Sequence, residues 1–322
     1  MITVPAFGWI GGKLDFIKCM ENSGAVLMEG ALGERLKREY EFVIDGPAAM
    51  AGLVRSAAGR EALQALWREY LAVAAGYGLP FLAMTPTRRA NRERIKAAGF
   101  DESVIKENVE ALREIKANAG TEMYIGGLMG CRGDAYTGEG ALGTQEARSF
   151  HAWQADLFKE AGADFLYAGI MPVLAEAEGM AMAMSDTGLP YIISFTIRQD
   201  GRLIDGTAID TAIREIDSCT ENNPVCYMTN CVHPDIVYKA LSHDFNRTEA
   251  VRRRFWGIQA NTSPLPYEEL DGCSDLKSSA PEALADSMMR LRDDFGFRIF
   301  GGCCGTNASH MRAAAKALWP DW

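Results

Sequence analysis

The sequence predicts an α/β fold, a closed TIM (β/α)8 barrel. Two observations carry this expectation. Short apolar runs alternate eight times with longer amphipathic segments over about 300 residues, a rhythm that favours a closed parallel barrel over an open sheet. No G-x-G-x-x-G loop opens a helix after the first apolar run, which argues against a dinucleotide-binding sheet.

Taken in order, the eight candidate strands are Ala25–Glu29, Pro80–Thr85, Met123–Gly127, Phe165–Ile170, Tyr191–Thr196, Val225–Asn230, Phe255–Asn261 and Arg298–Gly302. Each is too short for a helix and is bounded by turn residues or charges. Between them, Glu61–Tyr77, Asp101–Asn118, Gln145–Ala161, Ala208–Ser218 and Pro281–Phe295 show the spacing of amphipathic helices, and Ala308–Leu318 makes a final one. The loop Gly130–Gly143, with five glycines, follows the third strand and is expected to arch over the barrel mouth. Residues 1–24 form an N-terminal extension expected to cap the bottom or side of the barrel. Residues 25–322 form a single barrel domain, since no linker or low-complexity tract divides them.

Composition narrows the function classes. Of 322 residues, 48% are hydrophobic, enough for a large core, and the formal net charge of -10 argues against nucleic acid as the main partner, because phosphate binding needs a basic face. No run of 18 apolar residues predicts a membrane helix, and the first residues lack the basic start of a secretory signal. Eight cysteines without such a signal point to a reducing cytoplasm, where clustered cysteines bind metal or do chemistry more often than they form disulfides. The expected partners are small molecules, on a monomer or small homo-oligomer.

The cysteines are clustered in the sequence. Gly301-Gly302-Cys303-Cys304-Gly305 follows the apolar run Arg298-Ile299-Phe300 of the eighth candidate strand, and Asn230-Cys231 closes the sixth, about seventy residues upstream. Active sites of such barrels form at the C-terminal ends of the strands, so the three thiols converge on one rim. Adjacent strand residues point to opposite faces, so Cys303 and Cys304 reach one ion only if the backbone bends, for which Gly301, Gly302 and Gly305 give freedom. Three thiolates suit zinc and leave its fourth position open for chemistry. His233, two residues beyond Cys231, is an alternative fourth ligand that would make the site structural; the competing reading starts the next helix with it. Buried cysteine is common, but two adjacent cysteines framed by glycines fit that bland role poorly. Cys19, Cys131, Cys219, Cys226 and Cys273 lack such framing and are expected to be core or loop thiols.

At these residues the sequence resembles the homocysteine S-methyltransferase family. Gly-Gly-Cys-Cys-Gly-Thr at 301–306 is the most specific piece, and Asn230-Cys231 looks like the family's Gly-x-Asn-Cys motif, with Met228 where glycine is usual. Glu29-Gly30-Ala31-Leu32-Gly33 is similar to the family's opening Asp-Gly-Ala-x-Gly, and Asp200–Gly206 also looks familial. The resemblance implies zinc on Cys231, Cys303 and Cys304, with the amino-acid ligand gripped near Glu29, Gly30 and Ala31. It implies methyl transfer from a sulfonium or other onium donor to a thiol, homocysteine or a relative, giving methionine from homocysteine. Asn230 is expected to bond the loop backbone or orient a thiolate, and Glu29 either binds ligand or caps the next helix.

The chain departs from the family at two points. The fourth strand commonly ends in Phe-Glu-Thr, whose glutamate holds the substrate amino group; here Gly169 stands in its place. Pro86 stands where family members tend to show asparagine. The altered clamp leaves open a different thiol or donor with the same zinc-thiolate chemistry. A third reading, from another class, is a non-catalytic barrel with structural or redox-sensing zinc.

Overall fold

The computed structural model describes residues 7–265 and 279–318, with side chains from residue 15 onward. Eight strands close into one parallel barrel in sequence order: β1 (Val26–Met28), β2 (Phe81–Met84), β3 (Met123–Gly130), β4 (Phe165–Met171), β5 (Tyr191–Phe195), β6 (Cys226–Val232), β7 (Phe255–Ala260) and β8 (Ile299–Gly302). All eight coincide with expected apolar runs. β1 pairs with both β2 and β8, so no edge remains. The predicted TIM barrel is the observed fold.

Strand alternation divides the core in two. Met28, Met84, Tyr167, Ile192, Met228 and Ile299 fill the barrel interior. Leu27, Ala83, Ile125, Leu166, Ile193 and Phe300 face the surrounding helices. The helices are α1 (Phe7–Asn22), α2 (Gly33–Glu39), α3 (Ala57–Gly76), α4 (Arg92–Ala97), α5 (Ser103–Lys116), α6 (Thr144–Ala161), α7 (Leu174–Thr187), α8 (Ile209–Cys219), α9 (Pro234–Leu241), α10 (Glu249–Arg254), α11 (Pro281–Phe295) and α12 (Ala308–Leu318). Burying each large aliphatic or aromatic side chain contributes about 1.5–3 kcal/mol.

α1 closes the N-terminal end of the barrel. Phe16 is fully buried, stacks on Phe165 at the start of β4 with ring centroids 4.4 Å apart, and meets Tyr124 edge-on at 5.4 Å. The Tyr124 hydroxyl donates to Asp15 O at 3.2 Å. The opposite end is thereby left as the one available for a site. α7 is apolar nearly all round because it packs tightly on α6; a Cβ on Gly179 would stand 2.1 Å from Thr144 O. Met180 and Met184 are both fully buried there as core packing. Among the described residues no helix is long and apolar enough to cross a membrane. Cys273 lies outside the described residues.

Candidate metal centre at the C-terminal mouth

Cys231 lies near the end of β6, in a bulge. Asn230 pairs with Gln259 and Val232 with Ala260, so Cys231 is the extra residue on its strand. Its φ is +63°, a left-handed backbone rarely taken by a residue other than glycine. The bulge re-aims the Cys231 side chain toward the loop after β8. There the Cys303 amide donates to Ala260 O at 2.7 Å and the Thr262 amide to Cys304 O at 3.1 Å, which fix both cysteines against the end of β7. Of the three glycines expected to permit this bend, Gly305 alone has positive φ, at +82°. A Cβ on Gly305 would also collide with Thr262 Oγ1 at 2.0 Å. The expected distortion is therefore shared between Gly305 and Cys231 itself.

The three sulfurs form one cluster. Cys231 Sγ is 2.7 Å from Cys303 Sγ and 3.6 Å from Cys304 Sγ, and Cys303 and Cys304 are 4.0 Å apart. A tetrahedral zinc with bonds of about 2.3 Å separates its sulfurs by about 3.8 Å. Two of the three edges match, and a small side-chain rotation opens the third, so this donor set fits zinc. Among the described residues these three are the group able to hold a metal ion. His233 is not among them: its Nδ1 accepts from the Asp235 amide at 3.2 Å and caps α9. Without metal, the cluster's charge concentrates on Cys231. Hydrogen bonds from the Cys303 and Cys304 thiols, with help from the Tyr136 hydroxyl, hold it well below the usual thiol range, despite burial.

Tyr136 comes from the glycine-rich loop after β3, which thus reaches over the sulfurs as its position suggested. The loop is held at both ends by the fully buried Glu176 of α7. Glu176 accepts from the Arg132 amide at 2.6 Å and the Leu142 amide at 3.3 Å, and pairs with His151 at 3.0 Å. Nothing in the sequence distinguished Tyr136 from other loop residues.

The remaining expected residues surround the cluster. Asn230 Oδ1 accepts from the Ile170 amide at 3.0 Å and Ser194 Oγ at 2.7 Å, tying the ends of β4, β5 and β6 together. Glu29 is buried, accepts at Oε2 from the Met84 amide at 3.0 Å, and is pushed up to about 8 by burial. It does not cap α2, whose start carries no side-chain cap. Gly30 packs under Tyr70, against whose ring a Cβ would stand 2.8 Å away. The Ala31 amide is committed to Thr306 Oγ1 at 3.0 Å, and Thr306 in turn donates to Cys303 O at 2.7 Å. Thr306 therefore couples the end of β1 to the cysteine loop. Gly169 pairs with Gly130 across β4 and β3, leaving two positions without side chains at the inner mouth.

Comparison with known proteins shows the family. The sequence profile of the family described as Homocysteine S-methyltransferase matches residues 26–318. Homocysteine S-methyltransferase 3 of Arabidopsis thaliana is 25% identical over 180 residues, covering 55% of this chain and 50% of the relative. Betaine–homocysteine S-methyltransferase 1 of Danio rerio is 24% identical over 281 residues, 80% of this chain and 65% of the relative. The chain thus spans about half to two thirds of these two relatives. The metallated homocysteine methyltransferase MmuM of Escherichia coli shares the fold, with a TM-score of 0.73 and 21% identity over 92% of this chain and 97% of that one.

Proposed function

Because the chain belongs to the homocysteine S-methyltransferase family, we propose that it transfers a methyl group from a sulfonium or other onium donor to a thiol, homocysteine or a related thiol, at a zinc site formed by Cys231, Cys303 and Cys304. The observation that carries this reading is the convergence of three sulfurs within 4.0 Å on the open end of the barrel. Zinc held by these three thiolates would leave one position open and would lower the pKa of an acceptor thiol bound there.

The rest of the chemistry belongs to the chain's own residues. With zinc bound, Cys231, Cys303 and Cys304 as thiolates would carry three negative charges against two on the ion, a net charge that would attract a cationic donor. The loop bearing Tyr136 brings its hydroxyl onto Cys231. Asn230 and Thr306 hold the two cysteine-bearing segments in place, so acceptor and donor meet in line rather than by chance. Glu29, neutral over much of the physiological range, offers a hydrogen bond or a latent negative charge to the polar end of the acceptor. No histidine is asked to move a proton: His151, His233, His243 and His310 are each bonded to protein groups. Free thiols this close together suit a reducing compartment, and we place the enzyme in the cytoplasm.

The test is a matrix of thiol acceptors against methyl donors on zinc-loaded protein, read by mass spectrometry. At least one pair should give a thioether in amounts that disappear when zinc is removed and return when it is restored. Failure of every onium donor with every thiol, on protein carrying one zinc, contradicts the reading.

A further inference from the structure

Arg88 follows the end of β2 at the same mouth. The inner face of β3 carries Tyr124, Gly126, Leu128 and then Gly130, and a Cβ on Gly130 would stand 2.5 Å from Arg88 Cγ. The stem of Arg88 therefore lies over the barrel interior, where Gly130 and Gly169 leave space. Arg88 is close enough to Cys131 and Asp134 to act on both electrostatically, and Tyr136, two residues past Asp134, reaches Cys231. One loop thus touches both the arginine and the sulfur cluster.

Arg88 and Arg89 are half-buried, yet neither guanidinium has a hydrogen bond, ion pair or aromatic face among the described residues. Every other half-buried arginine described has one. A guanidinium with no protein partner is free to take an anion from a ligand, and its planar fork matches carboxylate or sulfonate oxygens. The Ala31 amide, one candidate for holding a substrate carboxylate, is already taken by Thr306.

We propose that Arg88, with Arg89 beside it, binds the anionic group of the acceptor, so that the preferred substrate is a short thiol bearing a carboxylate or sulfonate whose amino group is dispensable. This rests on the methyl-transfer reading, but binding tests it separately. Calorimetry on the zinc-loaded protein, without methyl donor, compares 4-mercaptobutyrate with 4-mercaptobutan-1-ol. The wild type should bind the anion about ten- to hundred-fold more tightly, the range for a hydrogen bond to a charged group. Arg88→Gln should erase most of that difference and leave the alcohol's affinity unchanged, while Arg88→Lys should keep part of it. Equal affinity of the wild type for both thiols overturns the proposal, whatever the variants do, and so does an Arg88→Gln variant that weakens both alike. If the Arg88-dependent preference is found but no donor methylates either thiol, the methyl-transfer reading fails and the anion site stands.

Discussion

Asn230 Oδ1 accepts the amide of Ile170 at 3.0 Å, joining two strands at the places where each bulges. Ile170 and Cys231 both have positive φ, at +56° and +63°. The side chain next to Cys231 thus stabilises a second unusual backbone on β4, and the strain needed to aim the thiol is spread over two strands.

Replacing Asn230 by alanine leaves the Ile170 amide and the Ser194 hydroxyl without their acceptor. Each buried group so orphaned costs about 1–3 kcal/mol. Asn230→Ala should lower the free energy of urea unfolding by at least about 1 kcal/mol and speed zinc loss to a chelator. Unchanged stability with unchanged zinc release would mean that the bulge at Cys231 holds itself.

The metal-free protein should oxidise selectively. Cys231 and Cys303 are the closest pair, at 2.7 Å, and Cys231 carries the thiolate character that drives the reaction. Peptide mapping after mild oxidation should find the Cys231–Cys303 bridge ahead of any bridge to Cys219, which sits on α8 away from the mouth. Free thiols at all three mouth positions, under conditions that oxidise a reference dithiol, would contradict their proximity.

How much of this was legible in the sequence follows physical lines. The eight strands were visible because each buried run is bounded by breakers and because outward and inward residues are both apolar. The short helices α4 and α10 were missed, since six residues give too few turns for a period to show, and α2 and α9 were anticipated only as helix starts after Glu29 and at His233. The cysteine cluster was legible from Gly301-Gly302-Cys303-Cys304-Gly305 and from strand ends sharing one rim. The left-handed Cys231 was not, because nothing in a local sequence marks a non-glycine residue held at positive φ by a partner strand. Tyr136, Thr306 and Arg88 act through contacts between distant segments, which spacing alone does not reveal.

Glu29 gives a pH signature. Its pKa in the folded protein is about 8 against 4.5 when unperturbed, so the folded state holds this proton more tightly. Its stabilising contribution is full below pH 4.5 and is lost as pH rises through about 8, at up to about 1.4 kcal/mol per pH unit. Glu29→Gln mimics the neutral carboxyl and removes this dependence. In metal-free, reduced protein the variant should gain stability relative to wild type between pH 5 and pH 8. A difference that stays constant over that range would show Glu29 to be ionised throughout.

Gly169 tests the acceptor's amino group. A Cβ there would stand 2.8 Å from Leu128 Cδ1, the movable end of a side chain, so a longer residue fits once Leu128 turns aside. Gly169→Glu should shift kcat/KM by about tenfold or more toward homocysteine over 4-mercaptobutyrate, as expected for one restored charged hydrogen bond. The wild type should use the two thiols comparably. A wild type preferring homocysteine several hundred-fold would place the amino group on another residue.

The most direct measurement is zinc X-ray absorption on the protein alone and with the acceptor thiol identified by the screen. The expected result is one zinc per chain with three sulfurs near 2.3 Å and one lighter atom, gaining a fourth sulfur when the thiol is added; Cys303→Ser/Cys304→Ser should lose the metal. A closed coordination sphere that the thiol leaves unchanged, or full zinc occupancy in the double variant, would contradict a catalytic zinc on Cys231, Cys303 and Cys304.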